Sequence, residues 1–416
     1  VEKSNTMISV KDAIEITLNQ TSVLDIELVS ILEAAGRILA EDVYSDIAMP
    51  PFDKSSVDGY ALRASDLKTT PAVFEVIGFI PAGSYPEFAL ESGQAAKIMT
   101  GAPLPRGTDC VQMVEKTEAL ANGKVKILEA VAYGKNISKK SEIIQVDARV
   151  ISKGTYLSAA VIAVLATVGK SKVQVYQQPR VGILVTGDEL VEIDHKPQAG
   201  QIRNSNGYAL YHQVKASGAR PERLGIAPDR LDQLTERIAV GLQHDVLLIS
   251  GGVSMGELDL VEEVFAKLGM QVFYDKVNIK PGKPTVFGKK GDTLVFGLPG
   301  NPVSASTVFE VIARPALRKM MGFTQLHNPK LKAIAASDFA SKTRRENYAP
   351  AWTYLDGDAI YTTPLPSKGS ADIVAFANSN SYMVIASGVN EIQKGQTVDV
   401  LLRDEFWKTC SLPKTP

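Results

Sequence analysis

The stretch Asp245-Val-Leu-Leu-Ile249-Ser-Gly-Gly-Val-Ser-Met-Gly-Glu-Leu-Asp259, followed by Leu260-Val-Glu-Glu-Val-Phe-Ala-Lys-Leu268, decides how the chain is read. Its apolar start, Val246 to Ile249, has the pattern of a buried strand, and Leu260 to Leu268 has the period of an amphipathic helix that stops at Gly269. Strand, turn and helix in that order make half of a βα unit in a parallel sheet. Gly251 and Gly252 let the backbone turn sharply and come close to a ligand. The next helix would point free N–H groups and the positive end of its dipole at the same place, which suits an anion. Glu257 and Asp259 lie at that helix start, where they could cap it or hold a cation. Gly-Gly turns also serve packing alone, and this motif does not separate the two readings.

Two further segments share the grammar. Arg180 to Val185 has a strand pattern ending in Thr186-Gly-Asp-Glu189-Leu, and Asp292 to Phe296 has another, ending in Gly297-Leu-Pro299-Gly300-Asn301-Pro302 before a long apolar-periodic helix. Ligands of open α/β sheets bind beyond the carboxyl ends of the strands, so three such ends point to one shared pocket.

Composition limits the alternatives. A chain of 416 residues predicts two to four domains. Its 45 Lys and Arg against 46 Asp and Glu leave a formal charge of −1, so neither nucleic acid nor an anionic membrane is an expected partner. Cys110 and Cys410 form no disulfide framework and no zinc spacing, and a reducing cytoplasm is the expected compartment. The four histidines are scattered, and none pairs with another at helical spacing. The longest nearly apolar run, Leu157 to Val168, falls short of the ~20 residues a spanning helix needs. The N-terminus lacks the apolar core of a signal peptide, and Val1 to Thr6 are expected to lie outside the folded domain.

Along the chain, Val10 to Leu18 and Leu32 to Ala35 read as helix, the second stopped by Gly36. In Met49-Pro-Pro-Phe-Asp-Lys-Ser-Ser-Val-Asp58-Gly-Tyr-Ala61, prolines fix an extended backbone and Asp58-Gly59 marks a turn. Its crowded Asp53, Ser55, Ser56 and Asp58 suit a cation, a substrate hydroxyl or simply an Asx-turn. Short strands at Phe74–Ile77, Ala95–Met99, Cys110–Val114 and Lys124–Leu128 predict a small β domain, with Met99-Thr100-Gly-Ala-Pro103 as a loop tip. A helix follows around Ala159 to Ala166. Lys276-Val-Asn-Ile-Lys280-Pro-Gly-Lys283-Pro sets three lysines on a stiff segment, which favours phosphate or oxyanion binding over a solvated face. No Gly-x-x-x-x-Gly-Lys-Ser/Thr loop occurs, which excludes a P-loop site. Strands at Ala351–Leu355, Ala359–Thr363, Tyr382–Ala386 and Thr397–Leu402 predict a second β domain.

These motifs, Pro-Pro-Phe-Asp-x-Ser-x-x-Asp-Gly-Tyr-Ala, Met-Thr-Gly-Ala-Pro, Thr-Gly-Asp-Glu-Leu, Ser-Gly-Gly-Val-Ser-Met-Gly-x-x-Asp, Lys-Pro-Gly-Lys-Pro and Gly-Leu-Pro-Gly-Asn-Pro, occur in this order. With them the chain resembles the bacterial molybdopterin molybdenumtransferase (MoeA) family, which includes the E domain of gephyrin, over residues 7–405. The resemblance implies a multi-domain α/β plus β protein. Its parts would be an elongated N-terminal region (1–48 and 150–177), an inserted β domain (49–149), a doubly wound molybdopterin-binding α/β domain (178–325) and a C-terminal β-barrel (326–416). It also implies a homodimer with an active site shared between subunits, and it allows a molybdopterin adenylyltransferase as a further partner.

The implied reaction takes adenylylated molybdopterin and molybdate, releases AMP and leaves molybdenum on the pterin dithiolene, with Mg2+ assisting. By resemblance the catalytic set is Asp58, Thr100, Glu189, Asp259, Lys276 and Lys280, and the metal set is Asp58, Glu189, Asp259 and Asp229. The substrate-binding set is Ser250, Gly251, Gly252, Ser254, Lys283, Gly297, Pro299, Gly300, Asn301, Pro302, Arg345 and Ser370. Two departures stand out. After Gly134-Lys-Asn-Ile137, where the family has Arg-x-x-Gly-Glu-Asp, this chain has Ser138-Lys-Lys-Ser141-Glu-Ile143, and Pro350 stands where a second arginine sometimes follows Arg345. Loss of an acid at Ile143 keeps a non-catalytic pterin-binding scaffold as one alternative, and a tungsten-inserting enzyme is another.

Overall fold

The computed structural model describes residues 7–252, 260–341, 343–404 and 406. The expectations for Ser254, Glu257, Asp259 and Cys410 therefore lie outside the described residues. The chain divides into two compact units, Val1–Leu28 with Gly36–Ala40 and Gln174–Pro416, and Val29–Ala35 with Glu41–Val173.

The smaller unit is built on a six-stranded sheet of β1 (Gly59–Leu62), β2 (Ala72–Ile80), β3 (Gln94–Ile98), β4 (Cys110–Met113), β5 (Thr117–Leu120) and β6 (Lys124–Ile127), in the order β4-β1-β3-β2-β6-β5. Only β2 and β3 run parallel; the other pairs are antiparallel. Alternation places Tyr60, Leu62 and Ala95 in one apolar cluster and Ala61, Ala96 and Ile98 in another, so both faces are covered. The expected helix at Leu32–Ala35 is instead a turn, held by Glu33 N–H on Ser30 O (2.9 Å). Four residues before a glycine cannot repay helix nucleation.

In the larger unit β7 (Arg180–Thr186), β8 (Arg220–Ala227), β9 (Val246–Ser250), β10 (Gln271–Lys276), β11 (Pro284–Lys290) and β12 (Thr293–Leu298) form a sheet ordered β8-β7-β9-β12-β11-β10. The first four strands in that order are parallel, and β11 and β10 close the edge antiparallel. Successive residues of the central strands feed opposite faces. Val246, Leu248, Leu294 and Phe296 pack with residues of α1 (Val10–Asn19), α3 (Asn206–Ala216), α6 (Pro302–Val308) and α7 (Arg314–Met320). Leu247, Ile249 and Val295 pack with α4 (Leu231–Gly241) and α5 (Leu260–Lys267). The sheet is therefore doubly wound, and its apolar strands are buried on both sides. The helix expected after Pro302 is a continuous helical run to Met320, with a π-turn at Phe309–Ala313 between α6 and α7.

A closed five-stranded barrel follows: β13 (Lys330–Ala335), β14 (Glu346–Asp356), β15 (Ala359–Pro364), β16 (Ser381–Ile385) and β17 (Thr397–Leu402), in the circuit β14-β15-β13-β17-β16 and back to β14. Ile279–Lys280 adds to β14 in parallel, with Lys280 opposite Asn347, so the lysine-rich segment runs from the α/β sheet onto the barrel.

The helix α2 (Ala159–Thr167) in the smaller unit is apolar except for its last residue, yet only Leu165 is buried. Ser141, where the family has glycine, adopts φ +65° in the left-handed region that favours glycine. Ser141→Gly is expected to stabilise the protein by about 0.5–1 kcal/mol, the relief of strain being partly offset by a more flexible unfolded chain. Thermal unfolding should show a rise of about 2 °C, and an unchanged or lower midpoint would contradict this account.

Candidate functional site

Three strand ends lie level in the α/β sheet, with Val185 of β7 beside Ser250 of β9 and Ser250 beside Leu298 of β12. Beyond them opens a cavity of about 530 Å3 lined by Thr186, Gly187, Glu189, Asp229, Ser250–Gly252 and Pro299–Pro302. The three segments singled out from the sequence thus meet in one place. Gly251 and Gly252 have φ of +101° and +62°, and a Cβ on them would stand 2.4 Å from the Thr186 carbonyl oxygen and 2.8 Å from its hydroxyl. The packing reading of these glycines holds. The turn needs left-handed backbone and room for Thr186, and it also lines the cavity.

Thr186 and Asn204 line the cavity with their polar atoms buried, and their side chains help to hold the Asp229 and Glu192 carboxylates in the charged form. Asn204 Oδ1 accepts from Gly207 N (2.9 Å), which fixes the orientation of its amide.

Acidic groups gather at the rim. Asp229 is raised above the ordinary aspartate range, first by burial and then by the neighbouring carboxylates Asp188 and Glu189, while its N–H donates to Asp188 Oδ1 (3.2 Å). Such crowding favours a cation. Among the described residues no three Asp, Glu, His or Cys side chains converge as a complete ligand set. Mg2+ is usually held by one or two carboxylates together with substrate phosphates and water, so Glu189 and Asp229 fit that ion rather than an all-protein cage.

A second cavity, of about 400 Å3, is lined by Lys280, Lys283, Arg345, Ser370 and Pro350, and shares Pro284, Pro299 and Asn301 with the first. Arg345 donates to Ile279 O (2.9 Å), and burial lowers its guanidinium pKa without discharging it near neutrality. Asn301 Nδ2 donates to Ser370 Oγ (2.9 Å), and Val303 N to Ser370 O (3.1 Å), which anchors the 370 loop to the start of α6. The first cavity thus carries two carboxylates beside Arg203, and its neighbour carries three cations.

Not every expected residue gathers here. Asp58 and Thr100 belong to the smaller unit. There Asp58 Oδ1 accepts from Thr100 N and Oγ1, both at 2.7 Å, and these bonds hold its carboxyl below the ordinary range. Asp53 is engaged by Lys139 Nζ (2.9 Å) and Lys140 N (2.8 Å), and Ile143 is 63% exposed, so no acid occupies that position. Lys276 ends β10 with its Nζ 3.8 Å from Asp275, and Gly297 lies inside β12 opposite Ile249; neither lines the two cavities. Sequence reading missed Arg203, Asn204 and Asn206, which line the first cavity. The run Asn204-Ser-Asn206 at the start of α3 carries the side chains typical of a helix cap and was the available signal.

The comparisons with known proteins agree with this architecture. Residues 8–169 match the MoeA N-terminal region (domain I and II), 182–319 a probable molybdopterin binding domain, and 332–402 the MoeA C-terminal region (domain IV). The chain is 35% identical to the molybdopterin molybdenumtransferase of Bacillus subtilis (strain 168) over 384 residues, 90% of this chain and 89% of the relative. It is 37% identical to that of Nostoc sp. over 409 residues, 95% of this chain and 94% of the relative. The crystal structure of a molybdopterin biosynthesis MoeA protein from Pyrococcus horikosii aligns with a TM-score of 0.81 at 33% identity, covering 95% of this chain and 99% of that one. The chain belongs to the molybdopterin molybdenumtransferase (MoeA) family.

Proposed function

We propose that this protein inserts molybdenum from molybdate into adenylylated molybdopterin, releasing AMP. The observation that carries the reading is the pair of adjoining cavities, one lined by the glycine turns with Glu189 and Asp229, the other by Lys280, Lys283 and Arg345. A dianionic oxyanion suits Lys280, Lys283, Arg345 and Ser370. The phosphate-bearing pterin suits the glycine turns Ser250–Gly252 and Pro299–Pro302, with the positive end of α3 beside them. Glu189 and Asp229 would hold Mg2+, whose role when bound is to neutralise charge on the phosphoanhydride. Retention of these acids and lysines together disfavours the scaffold alternative.

The four-domain division, the cytoplasmic setting and a homodimer belong to the same reading, with Asp58 and Thr100 assigned to the active site that two copies share. Support for the dimer comes from α2, where Ala159, Ala160, Ala163 and Ala166 are exposed on a helix without a charged residue. Ala163→Glu should convert a dimer to a monomer in light scattering at unchanged thermal stability. A variant that stays dimeric would remove α2 from the interface.

The reaction itself is tested by AMP release from adenylylated molybdopterin with Mg2+ and molybdate, beside a tungstate arm. Glu189→Gln and Asp229→Asn should each slow release by about 100-fold, the usual scale for losing one group that stabilises developing charge. Lys283→Ala should raise the molybdate concentration needed for half-maximal release by about tenfold, the scale of one charge-assisted contact. Wild-type rates in both carboxylate variants would contradict the assignment.

A further inference from the structure

We infer that Asn206 is a positioning residue that locks the two glycine turns of the first cavity into a single floor for the phosphate-bearing substrate. The inference rests on the function proposed above. The ladder between β9 and β12 ends at Ser250 opposite Leu298, with Gly251 N–H on Leu298 O (3.1 Å) as a last backbone tie. Past that point the chains leave the sheet as separate turns, and Asn206 bridges them. It opens α3, is 7% exposed, and its Nδ2 donates both to Ser250 Oγ (2.9 Å) and to Gly300 O (2.7 Å). Ser250 Oγ in turn donates to Pro299 O (3.3 Å). Both partners of Nδ2 accept, so the orientation of the amide is settled by its surroundings.

The consequence is geometric. The two turns touch, since a Cβ on Gly300 would stand 3.7 Å from the Gly251 Cα, yet backbone hydrogen bonding between their strands has already ended. The buried Asn206 amide, together with Ser250 Oγ on Pro299 O, therefore sets their separation, and a ligand lying across both turns would sense any change in it. The basic cavity takes only Pro299 and Asn301 from these turns and none of its cations, so its oxyanion contacts should change less.

The test compares wild type, Asn206→Ala, Ser250→Ala and the double variant. For Asn206→Ala we expect the KM for adenylylated molybdopterin to rise about tenfold, with kcat within about threefold and half-saturation by molybdate within about twofold. Ser250→Ala, which keeps the arm to Gly300, should raise that KM about threefold. The double variant should fall short of the product of the two single effects, because both residues lose the same Asn206–Ser250 bond while only Ser250 holds Pro299 O. A residue that merely supports the fold would move the half-saturation of both substrates together; that result, or an unchanged pterin KM, overturns the inference. Should Asn206→Ala fail to fold, Ser250→Ala decides alone by the same criterion. Calorimetric titration with adenylylated molybdopterin in the absence of molybdate separates the two claims. If wild type binds without releasing AMP when molybdate is added, the proposed reaction falls, and the ratio of dissociation constants still judges Asn206. If wild type neither binds nor releases AMP, both fall.

Discussion

The structure depends on three parallel strands, β7, β9 and β12, ending at one level. Their apolar residues are covered on both faces, so a shift of register by one residue would exchange the two cores. That constraint fixes where the strands stop, and the polar turns at their ends are thereby brought to one edge of the sheet. Glycines at positive φ, the buried Thr186 and the Asn206 bridge then shape the edge into a cavity. Burial of apolar side chains, rather than any polar contact, sets the frame in which the polar contacts are made.

The second cavity arises from a different device. The segment Lys276–Pro284 leaves the sheet, adds two residues to barrel strand β14 and returns as β11. Arg345 at the start of the barrel is tied to the backbone of that segment, so three cationic side chains from two folds converge. Glu189 and Asp229 lie in one cavity and the three cations in its neighbour, while Asn301 and two prolines form the wall common to both.

Much of this was legible in the sequence because periodicity and turn chemistry report burial directly. The continuous apolar run Val246–Ile249, the Gly251-Gly252 turn and the Pro302 helix start each announced an element that the structure contains. The reading failed where a short apolar run lacked room to nucleate a helix, at Leu32–Ala35, and where spacing carried no information about which side chains meet across the fold. Asn204 and Asn206 look like helix-capping residues in sequence. Only the approach of β9 and the loop after β12 makes Asn206 a bridge. Lys276 and Gly297 show the converse, since membership of a motif did not bring either to the cavity walls.

The division of labour between the two cavities is tested most directly by anomalous diffraction from crystals soaked in tungstate, a dense stand-in for molybdate. The account predicts one strong peak among Lys280, Lys283 and Arg345, lost in Lys280→Ala/Lys283→Ala crystals. A peak beside Asp229 and the glycine turns, or none in the basic cavity at saturating tungstate, would contradict it.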